Sequence, residues 1–246
     1  MSWGLPGDKP LLALHGWLDN AASFVPLAPL LVGYHVVALD LTGHGQSSHR
    51  SPDASYQIWD DLPEVRAVLE HLGWSSFDLV GHSRGAIISA LYAAAHPEQV
   101  HRLVLLDSIV PMAVPDADFP AQLRKGLDEK LNCDDRSARV FKSPDIAIEA
   151  RRKGGLGENA AGLIARRNIR PCDGGYCWTT DPRLKTASAV KLTPGQIEAL
   201  LAGLTMPTLL LTEKAGIHRA PELLDTVRKL VPNLESAEYS GGHHFH

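Results

Sequence analysis

Short apolar runs alternate along this chain with longer stretches in which apolar residues recur every three or four positions. Leu11-Leu12-Ala13-Leu14, His35-Val36-Val37-Ala38-Leu39-Asp40, Phe77-Asp78-Leu79-Val80, Leu103-Val104-Leu105-Leu106 and Thr208-Leu209-Leu210-Leu211 are too short for core helices and read as buried strands. A last, shorter run lies near 236–239. Between them, Leu62, Val65, Leu69 and Leu72 fall on one face of a helix over about 57–72, and helices are also expected over 86–95 and near 221–230. Strands alternating with helices predict an α/β fold: a mostly parallel, doubly wound sheet with crossover helices. The pattern breaks from about 111 to 206, where the chain is charged, interrupted by Gly and Pro, and without strand character. That block is expected to be a mostly helical cap, inserted after the strand that ends at Asp107. Residues 1–110 and 207–246 then form one core. Neither an internal repeat nor a low-complexity segment interrupts this scheme.

Composition narrows the class. A chain of 246 residues, 44% of them hydrophobic, can bury a substantial core. No apolar run approaches the roughly 18 residues that a membrane span requires. The opening Met1-Ser2-Trp3-Gly4-Leu5-Pro6 has neither the basic nor the apolar part of a secretory signal. Three cysteines, an odd number, argue against a disulfide framework, so Cys172 and Cys177 are expected as free thiols and the protein as cytoplasmic. Residues 113–200 carry 15 Lys and Arg against 12 Asp and Glu, a local +3 within a chain of net charge −4. Arg151-Arg152-Lys153 and Arg166-Arg167 with Arg170 supply most of it. A solvated helical face accounts for such runs; the alternative is a basic lid that draws in an anionic substrate or acyl carrier. Nucleic-acid binding does not fit, because basic residues are neither in excess overall nor interleaved with aromatics. The oligomeric state is left open.

The chemistry centres on Gly81-His82-Ser83-Arg84-Gly85, a G-x-S-x-G string preceded by a strand and followed by an Ala-rich helix. A strand-to-helix turn this sharp forces the serine into strained backbone geometry and lifts its hydroxyl clear of the sheet. The helix N-terminus beneath it favours developing negative charge. Ser83 is therefore the candidate nucleophile. A serine at its ordinary pKa needs a base, and that base needs an orienting acid. His243 follows the last strand and comes after every candidate acid, the chain order Ser, acid, His that goes with this elbow. His244 competes with it, since a slip of one residue exchanges them. Two acids close strands: Asp107, after the elbow strand's neighbour, and Glu213, beyond the insertion. The later position is the commoner one, but Thr212-Glu213-Lys214-Ala215-Gly216-Ile217 holds no Asp, which moves Asp107 ahead of Glu213. Otherwise Glu213 is a solvated carboxylate paired with Lys214 or Arg219.

The oxyanion hole is expected from the backbone N–H groups of Arg84, after the nucleophile, and Trp17, after His15-Gly16. Asp40 and His44 are expected to brace the edge of the site, and His82 to pack. The terminal His243-His244-Phe245-His246 has no carboxylate or cysteine beside it in sequence, so no metal and no cofactor are expected.

Taken together, His15-Gly16-Trp17-Leu18-Asp19-Asn20, Asp40-Leu41-Thr42-Gly43-His44-Gly45-Gln46-Ser47, Gly81–Gly85 and Gly242-His243-His244-Phe245-His246 resemble the α/β-hydrolase superfamily. Within it the chain looks most like the serine hydrolase-like proteins, whose pattern includes HGWLDN and a terminal G-x-HH-x-H. Gly174-Gly175-Tyr176-Cys177-Trp178 and Asp181-Pro182-Arg183-Leu184 look like bacterial members. The resemblance covers nearly the whole chain. It implies an α/β-hydrolase fold, a helical cap over the site, no cofactor, and an acid at the position of Asp107. Such proteins usually begin with one or two extra strands before the position of Trp3-Gly4 and finish with a helix beyond that of His246, and this sequence departs from them in holding neither. The expected function is a serine hydrolase of the esterase type, cleaving a small-molecule carboxylic ester or thioester. A C–C bond hydrolase with the same triad and a non-catalytic small-molecule receptor are the alternatives.

Overall fold

In the computed structural model, which describes residues 1–133, 139–214 and 221–246, the apolar runs become strands and the periodic stretches helices. The first part of the chain gives β1 (Ser2–Trp3), β2 (Lys9–Leu14), β3 (Tyr34–Leu39), α1 (Asp61–Leu72), β4 (Phe77–His82), α2 (Arg84–Ala95) and β5 (Val100–Leu106). There follow α3 (Phe119–Leu131), β6 (Val140–Phe141), α4 (Pro144–Lys153), α5 (Glu158–Arg167), β7 (Ile169–Cys172), β8 (Gly175–Trp178) and α6 (Pro194–Ala202). β9 (Thr208–Glu213), α7 (Pro221–Leu230) and β10 (Leu234–Tyr239) complete the chain. The central sheet has the order β1-β3-β2-β4-β5-β9-β10. Every pairing in it is parallel except the short antiparallel β1 on the edge.

Alternation along each strand feeds two cores, because successive side chains point to opposite faces. Leu12 and Leu14 of β2, Leu79 of β4 and Leu103 and Leu105 of β5 meet Val65, Leu69, Ile88, Tyr92, Leu201 and Val227 of the helices on one face. Leu11, Ala13, Val36, Ala38 and Val80 pack on the other, against Ala21, Phe24 and Ala28 in the turns after β2. Each fully buried leucine contributes about 2 kcal/mol of transfer free energy, so this alternation specifies register as well as stability. Gly73, at φ 69°, ends α1: its N–H reaches the Glu70 carbonyl, and the Trp74 N–H returns to Leu69.

Two expectations about residues 111–206 need correction. The block is not free of strands: β6, β8 and β7 form a small antiparallel sheet. β7 and β8 are only four residues long and turn through Asp173-Gly174, with both Gly174 (φ 82°) and Gly175 (φ 150°) in backbone regions suited to glycine. Strands so short leave no alternation to read. Cys172 and Cys177 are not free thiols but a disulfide across this hairpin, while Cys133 is buried and unpaired. The hairpin register, invisible as spacing, brings the two cysteines together, and the cysteine argument for a reducing compartment is withdrawn. No helix among the described residues is long and apolar enough to cross a membrane.

α6 packs with α2 and α7, and its Ile197, Leu200 and Leu201 belong to the main core. α4, α5 and the segment after β8 lie instead over the loops at the carboxyl ends of β2 and β3. Arg167 of α5 pairs with Asp40, Asn168 bonds the Gly45 N–H and the Leu18 carbonyl, and the Asp181 N–H reaches the Gly43 carbonyl. Arg151 and Arg167, two members of the basic runs, are thus turned inward onto carboxylates.

Candidate active site

The turn from β4 into α2 has the geometry its glycines suggest. Ser83 sits at φ 52°, ψ −115°, a conformation costly for any residue with a side chain. A Cβ on Gly85 would collide with the Leu14 carbonyl of β2, and one on Gly81 with the Gly85 carbonyl, so the turn can pack against β2 only with glycine at 85 and can close onto α2 only with glycine at 81. Arg84 opens α2, where the first amides have no partner within the helix. Its guanidinium is held by buried Asp61 at 2.6 Å and points away from that role.

Asp107 follows β5 and is also strained, at φ 54°. Its N–H donates to the Leu211 carbonyl at 2.7 Å, and its Oδ1 accepts from the Glu213 N–H at 2.8 Å. Only 1% of the residue is exposed. Its Oδ2 lies 2.5 Å from His243 Nδ1. A carboxylate can only accept, so Nδ1 carries the proton and Nε2 of a neutral ring keeps its lone pair. Of the two acids weighed, Asp107 therefore meets the ring, while Glu213 meets Asp107 through its backbone. Arg219, named as a partner for Glu213, lies outside the described residues. No hydrogen bond joins the Ser83 hydroxyl to the His243 ring among the described residues, and such contacts commonly tighten only on substrate binding.

Trp17 lies in a turn closed by the Asp19 N–H on the Gly16 carbonyl, with Leu18 at φ 60°, and its indole donates to the Leu184 carbonyl. The half-exposed Trp17 residue thereby ties the turn after β2 to the segment after β8. His15 braces the same loop. The Leu41 N–H donates to its Nε2 at 2.9 Å, so Nδ1 is protonated and donates to the Gly16 carbonyl at 2.8 Å. Complete burial pushes its pKa down. His44 packs edge-on against it at 5.0 Å, and burial, followed by the repulsion from His15, lowers the His44 pKa to about 3. Asp40 accepts from the Ala21 and Gln46 amides and from Arg167; these bonds hold its pKa low despite burial. Asp40 thus holds the loops after β2 and β3 together, and His44 packs within them.

Two expectations about the histidines change. His82 does more than pack, since its Nε2 lies 2.7 Å from the His243 carbonyl and must donate to it. His244 is no rival for Asp107; its Nε2 donates to Asp19 Oδ2 at 2.8 Å. The histidine cluster therefore does have a carboxylate beside it, supplied from 225 residues away. Asp19, 2% exposed, also accepts from Arg151 of α4 at 2.6 Å. Burial opposes its ionisation, but the His244 bond and the neighbouring positive charges outweigh it and hold the carboxyl well below the usual range. Sequence reasoning gave Asp19 no part; a carboxylate on a loop at the carboxyl end of a strand was the available signal.

A cavity of about 330 Å³ lies between the turn joining α4 to α5 and the segment carrying His243, lined by Glu158, Asn159, Gly242, His243 and His244 among others.

Comparison with known proteins bears on this geometry. A family model of the alpha/beta hydrolase fold matches residues 9–131. The chain is 30% identical to the serine hydrolase-like protein of Danio rerio, over 99% of this chain and 78% of that protein. Its fold superposes on a hypothetical protein of Pseudomonas aeruginosa with a TM-score of 0.95 at 39% identity, covering 100% of this chain and 87% of the other. A thioesterase domain from the curacin biosynthetic pathway gives 0.88 at 28% identity, covering 99% and 88%.

Proposed function

The chain belongs to the α/β-hydrolase family, and on that premise we propose that it is a serine hydrolase cleaving a carboxylic ester or thioester through an acyl-serine intermediate. The observation that carries this reading is the hydrogen bond between Asp107 Oδ2 and His243 Nδ1, at the carboxyl end of the strand beside the Ser83 elbow. That bond leaves His243 Nε2 as a lone pair able to accept the serine proton.

In this mechanism Ser83 Oγ attacks the substrate carbonyl while its proton passes to His243 Nε2, and Asp107 stabilises the imidazolium that results. The N–H groups of Arg84 and Trp17 hold the oxyanion of the tetrahedral intermediate. Collapse breaks the bond to the leaving alcohol or thiol, which takes the proton from His243 and departs, leaving acyl-Ser83. Water then attacks the acyl group, giving a proton to His243 as it does so; that proton returns to Ser83 when the acid is released.

Similarity to a thioesterase domain supports including thioesters, and the cavity beside His243 is of a size to hold a small acyl or leaving group. The elements over the loops of β2 and β3 act as the cap that shapes it. Intact mass after exposure to a fluorophosphonate probe tests the proposal. One adduct on the wild type and none on Ser83→Ala is the expected result. A folded wild type that takes no adduct overturns it.

A further inference from the structure

We propose that Asp19, His82 and His244 form a binding site for a divalent transition-metal ion of the zinc class, built onto the segment that carries His243. One donor atom from each, a carboxylate oxygen and two imidazole nitrogens, lies within 4.8 Å of the others. The three residues come from the turn after β2, the end of β4 and the segment after β10.

His82 supplies the decisive observation. Its ring is wholly buried, and its Nε2 faces the His243 carbonyl at 2.7 Å, so that nitrogen carries the proton. Nδ1 of the neutral ring is then a lone pair. It has no hydrogen-bond partner, and the group it faces, at 3.7 Å, is Asp19 Oδ2, another acceptor. Two acceptors turned toward each other in the interior repel, and a cation between them turns that repulsion into two bonds. The partners behind the donors also suit a metal site. The His243 carbonyl fixes the His82 tautomer, and Arg151 holds the other oxygen of Asp19.

His244 Nε2 becomes the third ligand when the proton it gives to Asp19 is relocated to Nδ1 of the same ring, with no net proton release. His246 lies beside the cluster, its ring 4.3 Å from that of His82 and both its nitrogens buried and unpartnered, and brings a third imidazole to the edge of the donor set. Two or three imidazoles with one carboxylate select zinc, cobalt, nickel or copper over the oxygen-seeking magnesium and calcium. Because the ligands come from three distant segments, metal binds the folded chain and stabilises it.

The test uses the full chain stripped with a chelator, then titrated calorimetrically with Zn²⁺, with Co²⁺ absorption and thermal unfolding in parallel. The expected result is one equivalent bound, visible Co²⁺ bands from nitrogen ligation, and a rise in unfolding temperature. Asp19→Asn and His244→Gln should each weaken binding at least about tenfold and remove most of the rise. His243→Ala should still bind one equivalent. Stoichiometric binding that survives His244→Gln, or that His243→Ala abolishes, overturns the site, the second result moving the ion to the Asp107–His243 pair. The Co²⁺ spectrum of the wild type does not depend on any variant folding, and the absence of visible bands also overturns it.

Discussion

Asp107 Oδ2 and His243 Nδ1 lie 2.5 Å apart across 136 residues of sequence, and the carboxylate that makes this contact is itself fixed by the Glu213 amide. The acid is thus positioned by the backbone of the neighbouring strand, with its remaining oxygen free to set only one ring orientation.

That arrangement separates the two candidate acids by experiment. Asp107→Asn should lower kcat by about 10³- to 10⁴-fold, because an amide can stabilise the wrong tautomer and cannot neutralise the imidazolium. Glu213→Gln keeps the amide that holds Asp107 and should leave kcat within about tenfold. Steady-state kinetics on any ester the protein turns over decide this; a larger loss for Glu213→Gln would reverse the roles.

Gly85→Ala should destabilise the fold before it touches chemistry. The added carbon meets the Leu14 carbonyl, a backbone atom inside the sheet that cannot swing aside. A cost of about 2 kcal/mol or more is expected, read as a fall in the denaturation midpoint. An unchanged midpoint would mean that the elbow is looser than its packing implies.

Arg167 ties α5 to the Asp40 carboxylate, whose other hydrogen bonds among the described residues come from the Ala21 and Gln46 amides. Arg167→Ala should cost about 2 to 3 kcal/mol, less than for a fully buried pair because the arginine retains some contact with solvent. It should also raise KM more than it lowers kcat, since α5 loosens over the loops after β2 and β3 while the Asp107–His243 hydrogen bond stays. Equal loss in both constants would argue that α5 does not shape the substrate site.

Stability should fall as pH drops below about 6.5. His15 and His44 have folded pKa values lowered by burial, His44 to about 3. Between pH 6.5 and the folded value the unfolded chain binds more protons, so stability rises with pH there and is lost on acidification. His44 alone contributes a slope of up to about 1.4 kcal/mol per pH unit in that window. Denaturant midpoints at pH 7.5, 6 and 5, for wild type and His44→Gln, read it; a variant with an undiminished slope would contradict this account.

Local pattern was enough for the strands of the parallel sheet and the main helices around it, because a buried strand and an amphipathic helix each write their period into neighbouring residues. The Ser83 elbow is legible for the same reason: strand, glycine, serine, glycine and helix are contiguous, and the strain at Ser83 arises within that turn. Asp107 stood ahead of Glu213 only because no Asp follows β9, since both close strands and differ in which atom reaches the ring, a matter of strand register. The Cys172–Cys177 bond and the small sheet of β6 to β8 were hidden because they depend on a hairpin only four residues a side. Asp19 shows the limit most plainly. Its sequence neighbours say nothing of His82, Arg151 or His244, and its chemistry consists of those three contacts. The sequence by itself determined the α/β fold and the elbow, which rest on forces between near neighbours. Which carboxylate meets which histidine was decided only when folding brought the ends of distant strands together, within the few ångströms over which a hydrogen bond acts.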